Sequence, residues 1–421
     1  MQLHSTIVMD KSLQAYKVDH LFLLMGENPL PNCVAAMTLL QDGGSVYLVH
    51  TNFTKNQAES LGALLIKDVP NINNVYLLSL GDNQSDGYHI RTSIQAVANE
   101  LEGRLGMNYT GGTKVMSVHA YRALFEIQSD TVFSYLDPHR LLMCVDNDYG
   151  ECIRVRVSPK LSLEQIFRLH GLFWRVEQPP VGEGTLPEAA SVLAKLHMNC
   201  AIAKAWRDWC HRELRRVAKN DTNTQWREEA ELEGIAPLSL QGVPEEIKAV
   251  LRRYLGASHA HLSLQAAKEN GFEQLRNVCE WLDGIWLEHY VLQQIKLISP
   301  SCSIHDSKRS FRIQDPVNPK KKWDKFEFDV AFMRDYQLFA LSCTTTDKRH
   351  LCKQKLIEAN LRSRQLGGGE ARVALVCCHD WAESLKSELE VETKNRKIAV
   401  FGRQDLGLLA PKIAHWVRQN S

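Results

Sequence analysis

Short apolar runs alternate with amphipathic segments over the first 155 residues, and that alternation leaves few folds open. HLFLLMG, SVYLVH, NNVYLLSL, NYTGG with its flanks, TVFSYLD and RLLMCVD have the length and composition of strands. NCVAAMTLL, KNQAESLGALLIK and SIQAVANELEGRLG lie between them and read as helices. Strand and helix in strict alternation, with short turns, predict a parallel sheet covered on both faces. KVMSVHAYRALFEI follows TGG and places Val115, Val118, Ala120, Leu124 and Phe125 near a helical period. ECIRVRVSP closes the unit as a short strand.

The chain has 421 residues, enough for two or three domains. We read residues 1–155 as the first α/β domain, 156–268 as a linker and helical connector, and 269–421 as a second α/β domain. The Pro/Gly-rich junction PPVGEGTLPEAA holds Pro179, Pro180 and Pro187. The connector carries AASVLAKLHMNCAIAKAWRDWCHRELRRVA and PEEIKAVLRRYLG, both helical. Its interleaved Trp206, Arg207, Trp209 and Arg212 suit either nucleic acid or packing against a neighbouring domain.

In the last domain CEWLDGIWLEHYVLQQIKLI reads as one long amphipathic helix and SKRSFRIQDPVNPKKKWDK as a basic, turn-rich segment. Strands FEFDVAFMR and QLFALSC, helix KRHLCKQKLIEANLRSR, strand ARVALVCC, helix DWAESLKSELE, strand KIAVFG and helix IAHWVRQ follow.

Net charge is +1, so any nucleic-acid surface must be local. No run of eighteen apolar residues offers a membrane span, and a cytoplasmic protein is expected. Eleven cysteines in an odd count, several within apolar runs, read as buried free thiols, and their spacing lacks the paired knuckles of a zinc site. His259 and His261 read as solvent-facing or capping.

Two turns in the first domain follow a strand and precede a helix. One holds Gly26, Glu27, Asn28 and Pro29; the other holds Thr110, Gly111, Gly112, Thr113 and Lys114. Ligands of open α/β sheets bind beyond the carboxyl ends of strands, where glycines bare backbone N–H groups and helix N-termini favour anions. Neither GxxxxGK[ST] nor GxGxxG occurs, which argues against a nucleoside triphosphatase or dehydrogenase. A ligand containing phosphodiesters fits better.

In the second domain Glu288 lies on the helix, while Glu327 and Asp329 share one strand face, with Phe326, Phe328 and Val330 turned the other way. The three carboxylates form a candidate acidic cluster for a divalent ion. On the next strand stand Ser342, Cys343 and Thr344. Lys355, Glu358 and Arg362 share one face of the following helix, with Lys348 and Lys353 near it, and Lys355 is a candidate to supply the missing cation. Cys343 continues an apolar strand and reads as buried rather than nucleophilic.

MGENPLPN and NYTGGTK, together with GIWLEHYV, FEFDV and LFALSC, resemble the DUF1887 group of CRISPR-associated proteins. These join a Rossmann-like CARF domain to a restriction-endonuclease-like domain. The resemblance implies a homodimer that binds cyclic tetra-adenylate and then cuts single-stranded RNA or DNA with Mg²⁺ or Mn²⁺. It places Asn28, Thr110, Gly111, Gly112, Thr113 and Lys114 at the ligand and Glu288 and Asp329 at the metal. Ser342 and Thr344 stand where that group carries Glu and Lys. Two alternatives therefore stay open: a cyclic-oligoadenylate sensor with a degenerate nuclease domain, or a ring nuclease acting at the N-terminal site through Lys114.

Overall fold

The computed structural model describes residues 13–70, 72, 74–137, 140–146, 152–314, 326–367, 371–393 and 395–420, with side chains described for all of these but 326, 327, 365, 367 and 393. In the first domain β1 (Val18–Leu24), β2 (Leu40–His50), β3 (Asn74–Ser79), β4 (Leu105–Asn108), β5 (Val132–Asp137), β6 (Leu142–Val145) and β7 (Ile153–Arg156) form one sheet in the order β3-β2-β1-β4-β5-β6-β7. The first five strands run parallel, and β6 and β7 extend the sheet antiparallel. The expected parallel sheet thus gains an antiparallel edge, because the short links around β6 allow only hairpin returns.

The strand period sorts β1 cleanly. Leu21 and Leu23 pack under α1 (Leu30–Leu39) and α2 (Lys55–Asp68). Phe22 and Leu24 pack under α3 (Gly87–Ala98) and α4 (Lys114–Ile127). Strand order reverses between β1 and β4, so the two glycine-bearing turns meet at the switch point.

After α5 (Leu163–Leu169) come α6 (Pro187–Leu196), α7 (Cys200–Trp209), α8 (Arg216–Ala218), α9 (Glu229–Glu233), the ribbon of β8 (Leu238–Ser239) and β9 (His261–Leu262), α10 (Glu245–Leu255), α11 (Leu264–Lys268) and α12 (Leu275–Glu280). Trp206 and Trp209 are fully buried and stack at 5.0 Å, so of the two expected uses for these rings packing is the one observed. Residues of α6, α7 and α10 share one apolar core with the second sheet.

The second sheet has the order β10-β11-β12-β13-β14. Its strands are β10 (Ile304–Ile313), β11 (Phe326–Arg334), β12 (Gln337–Thr344), β13 (Arg372–Cys377) and β14 (Ile398–Phe401). The helices are α13 (Trp286–Cys302), α14 (Arg349–Gly367), α15 (Ala382–Thr393) and α16 (Leu409–Gln419). One face packs with α13, α16 and the middle helices. The other is covered by α14 and α15 near β13 and by α5 near β11, where Phe167 stacks on Phe311 at 5.6 Å.

Three further expectations change. The single helix expected over 279–298 is broken by a π-helical turn at Trp281–Ile285, because Gly284 takes φ +147°, which side-chain-bearing residues avoid. Residues 307–313 of the expected basic turn belong to strand β10. That strand pairs with β11 on one edge; on its other edge Arg309 exchanges hydrogen bonds with Val181 of the proline-rich junction, and Arg312 accepts from Arg175 just before it. Residues 315–325 lie outside the described residues. Finally, Phe328 and Val330 do not share a face: Phe328 packs with Ala331 and Met333, Val330 with Phe332.

All eleven cysteines are free thiols, most of them buried. Among the described residues no helix is long and apolar enough to cross a membrane. Arg403 is buried and ties three segments together, donating to the Asp380 carboxylate, the His197 carbonyl and the Cys378 carbonyl at 2.7, 2.9 and 2.6 Å. Burial lowers the pKa of His170 and His197 to about 4 and of His289 to about 3. The fold therefore holds these rings neutral while the unfolded chain protonates near 6.5. Their contribution to stability is complete above that value and is lost as pH falls toward 4. Urea midpoints should decline between pH 6.5 and 4, and His289→Asn should flatten the slope by up to one proton.

Candidate functional site

The N-terminal turns are held together backbone to backbone. A Cβ on Gly111 would lie 2.2 Å from the Leu24 carbonyl and 3.0 Å from the Gly26 nitrogen. Gly112 takes φ +75°. Two asparagines shape the turns: the Asn28 side chain accepts from Leu30 N at 3.1 Å, and the Asn108 side chain from Thr110 N at 3.2 Å. Thr113 caps α4 by accepting from Met116 N, and its hydroxyl donates to the Gln84 carbonyl at 3.0 Å. Lys114 is exposed at the first turn of that helix. The structure thus brings Asn28, Gly111, Gly112, Thr113 and Lys114 to one edge, where free N–H groups and a helix dipole favour an anion.

Thr110 has an internal partner: its hydroxyl accepts from Leu136 N of β5 at 2.7 Å. Sequence reasoning missed Tyr109 and Asp146. The Tyr109 hydroxyl donates to both Asp146 carboxylate oxygens at 3.0 and 3.1 Å, across a separation of 37 residues that no local spacing reveals. Burial and that carboxylate hold the Tyr109 phenol strongly protonated.

In the second domain Asp329 lies buried at the hairpin. Its Oδ2 accepts from the Ser342 hydroxyl at 2.9 Å and the Cys343 backbone N–H at 2.6 Å, with Lys355 Nζ at 3.5 Å. Lys355 Nζ also reaches the Cys343 carbonyl at 3.4 Å. A cleft of about 170 Å³ opens here, lined by Asp329, Ser342, Lys355 and Glu358 with Phe328, Leu341 and Ala359. Glu358 completes this wall as the helix face shared with Lys355 allows.

Glu288 is buried on α13, a turn past the Gly284 break. Its carboxylate accepts from the Ser310 hydroxyl at 3.4 Å, and Arg309 donates to the same hydroxyl at 2.8 Å. Ser310 takes the left-handed conformation, φ +57°, in the strand beside Asp329. Lys355 thus faces Asp329, while Glu288 and Arg309 meet at the Ser310 hydroxyl. Burial and the two carboxylates push the Cys343 thiol well above its ordinary range, so it is no thiolate nucleophile.

Among the described residues no group of three or more His, Cys, Asp or Glu side chains converges as metal ligands. The Glu327 side chain lies outside the described residues. The described donors beside Asp329 are the Ser342 hydroxyl, a buried thiol and the Lys355 ammonium, so the expected three-carboxylate centre for Mg²⁺ or Mn²⁺ turns on Glu327. Lys353, by contrast, is taken up by Glu388 and Glu392 on α15, and Lys348 is exposed.

No protein-family model matches the sequence, and no curated protein matches it. Solved structures do. Protein VC1899 from Vibrio cholerae superposes with a TM-score of 0.72 at 14% identity, over 96% of this chain and 98% of that one. Can2 from Sulfobacillus thermosulfidooxidans, in complex with cyclic tetra-adenylate, gives 0.67 at 16%, over 95% and 99%. A type III CRISPR defence DNA nuclease activated by cyclic oligoadenylate gives 0.51 at 16%, over 85% of this chain and 45% of that one. At these identities the likeness is one of fold: an α/β architecture with a CARF-like first domain and a nuclease-like second domain. Gly111→Ala should destabilise this fold by about 2 kcal/mol in urea denaturation, because backbone must move. Gly26→Ala, whose Cβ meets nothing nearer than 3.4 Å, should cost less.

Proposed function

We propose that the protein is a cyclic-oligoadenylate sensor whose nuclease-like domain lacks the conventional metal centre. It acts as a homodimer. Paired N-terminal edges take cyclic tetra-adenylate, and the second domain responds by engaging single-stranded nucleic acid or a protein partner. The observation that carries the second half is the Lys355 ammonium 3.5 Å from Asp329, with Glu288 held by the Ser310 hydroxyl that Arg309 also meets, where a metal would need open acidic donors. The first half is supported by the glycine-bearing turns at the switch point and by the fold shared with a protein solved with that ring.

A ring with a two-fold repeat matches a two-fold dimer axis. The apolar side chains Tyr88 of α3 and Val118 and Phe125 of α4 stand exposed on the helices that begin at the ligand edge, and they supply the dimer face. Association through them aligns two copies of Lys114 on one ring.

A second reading has one observation in its favour. Lys355 reaches Asp329 from α14 into a cleft with Glu358, so a cation does stand where the Ser–Cys–Thr strand carries none. That reading is a ring-activated, metal-dependent nuclease.

One experiment separates them. Calorimetry with cyclic tetra-adenylate should show saturable binding, and labelled single-stranded RNA and DNA with Mg²⁺ or Mn²⁺ should stay intact with the ring present. Ring- and metal-dependent cutting that disappears in Asp329→Ala would establish the nuclease instead. Light scattering should find a dimer, and Val118→Asp should shift it to monomer and weaken ring binding by tenfold or more, about 1.4 kcal/mol.

A further inference from the structure

Among the described residues, five buried polar atoms around one hairpin turn have no hydrogen-bond partner. They are Nε of Arg334, the Tyr336 hydroxyl, both amide atoms of Gln337 and Nδ1 of His305. The turn joins β11 to β12, the two strands that carry Asp329 and Ser342. Asp335, at its centre, takes φ +54°, a conformation that a side-chain-bearing residue holds at a cost. Unpaired polar atoms and backbone strain both raise the energy of the docked turn relative to any arrangement that relieves them.

The turn rests on the end of the first domain and the start of the linker. Leu161 N donates to the Asp335 carbonyl at 3.2 Å, and the Leu161 carbonyl faces His305 Nε2 at 2.9 Å. Tyr336 packs in one apolar cluster with Leu141, Met143, Val157 and Leu161. From there a run of contacts leads back to the ligand edge. Val157 N donates to the Leu141 carbonyl at 2.9 Å, and Leu141 is itself left-handed at φ +56°. Leu141 follows β5, whose Leu136 N bonds Thr110 in the glycine turn. Asp146, at the end of β6, holds Tyr109 of the same turn. In the other direction β12 leads from the turn to Ser342, whose hydroxyl holds Asp329.

We propose that the β11–β12 turn is the two-state element that couples the glycine turns of the first domain to the Asp329 cleft. Ring binding moves β5 and β6 through Thr110 and Tyr109. Leu141 and Leu161 then shift, and the turn leaves its strained docking for a packing in which its polar atoms find partners. The hairpin follows and the cleft around Asp329 changes shape. This inference rests on the ring-binding reading. Spatial continuity alone does not make a coupling route; a metastable element that both ends bias does.

The test uses variants that lower the energy of the docked turn without touching either site. Asp335→Gly relieves the left-handed strain and keeps the backbone bond to Leu161. Tyr336→Phe removes an unpaired hydroxyl and keeps the ring. Amide hydrogen exchange over residues 326–344 is read with and without cyclic tetra-adenylate, alongside ring affinity by calorimetry. In the wild type the ring should speed exchange in this segment by about tenfold. Both variants should blunt that response and, by reciprocity, lower ring affinity by about fivefold. Val391→Ala, at an exposed site on α15, should do neither. Ring binding that leaves 326–344 unchanged, or variants that leave response and affinity both at wild-type values, would overturn the coupling and leave the sensor reading standing. A wild type that binds no ring would overturn the sensor reading and the coupling together.

Discussion

The burial of both faces of the β11–β12 hairpin is the constraint on which the rest of the molecule depends. Val330, Phe332, Phe339 and Leu341 pack on one side with α13, α16 and the middle helices. Phe328, Ala331, Met333, Leu338 and Ala340 pack on the other in a core shared with α1, α2 and α5. One hairpin therefore belongs to the core of each half of the chain. With apolar burial contributing about 25 cal/mol per Å², neither half can move far without disturbing strands that carry Asp329 and Ser342. The same arrangement explains why a polar site can exist there. Asp329 lies between two apolar layers, so its charge must be answered locally, and Ser342, the Cys343 N–H and Lys355 answer it.

The two halves of the protein differ in how their polar groups are arranged. At the N-terminal edge the glycine turns are fixed from below, by Asn28, Asn108, Thr110 and Thr113 bonding to backbone, while the outer edge keeps Lys114 exposed. That is a surface prepared for a ligand. At the C-terminal cleft Asp329 is met from within by Lys355, and nearby Glu288 and Arg309 share the Ser310 hydroxyl. The contrast supports the proposed division between recognition in the first domain and response in the second.

Much of this was legible in the residues. Alternating apolar runs located the strands of the first sheet and its helices, because strand and helix periods are imposed by local backbone geometry. The glycine turns were recognisable because only glycine permits the Gly111–Leu24 approach and the Gly112 conformation. Lys355 and Glu358 were placed on one helix face by their spacing alone, and both line the cleft. Other features had no local signal. The break at Gly284 lies inside a segment whose apolar pattern reads as continuous helix. Nothing near Arg309 in the chain announces that it will stand beside Glu288, and nothing near Tyr109 announces Asp146.

The sequence by itself determined the strands and helices of the first sheet, the positions of the glycine turns and the absence of Glu and Lys from the Ser342–Thr344 strand, because each depends on residue identity and short-range periodicity. Tertiary structure alone decided the rest. It brought Arg309 to Glu288 and Lys355 to Asp329, gave the middle helices a core in common with the second sheet, and set the strained Asp335 turn against Leu161. These are contacts between residues far apart in the chain. Their energies come from burial and charge neutralisation in three dimensions, which local patterning does not encode.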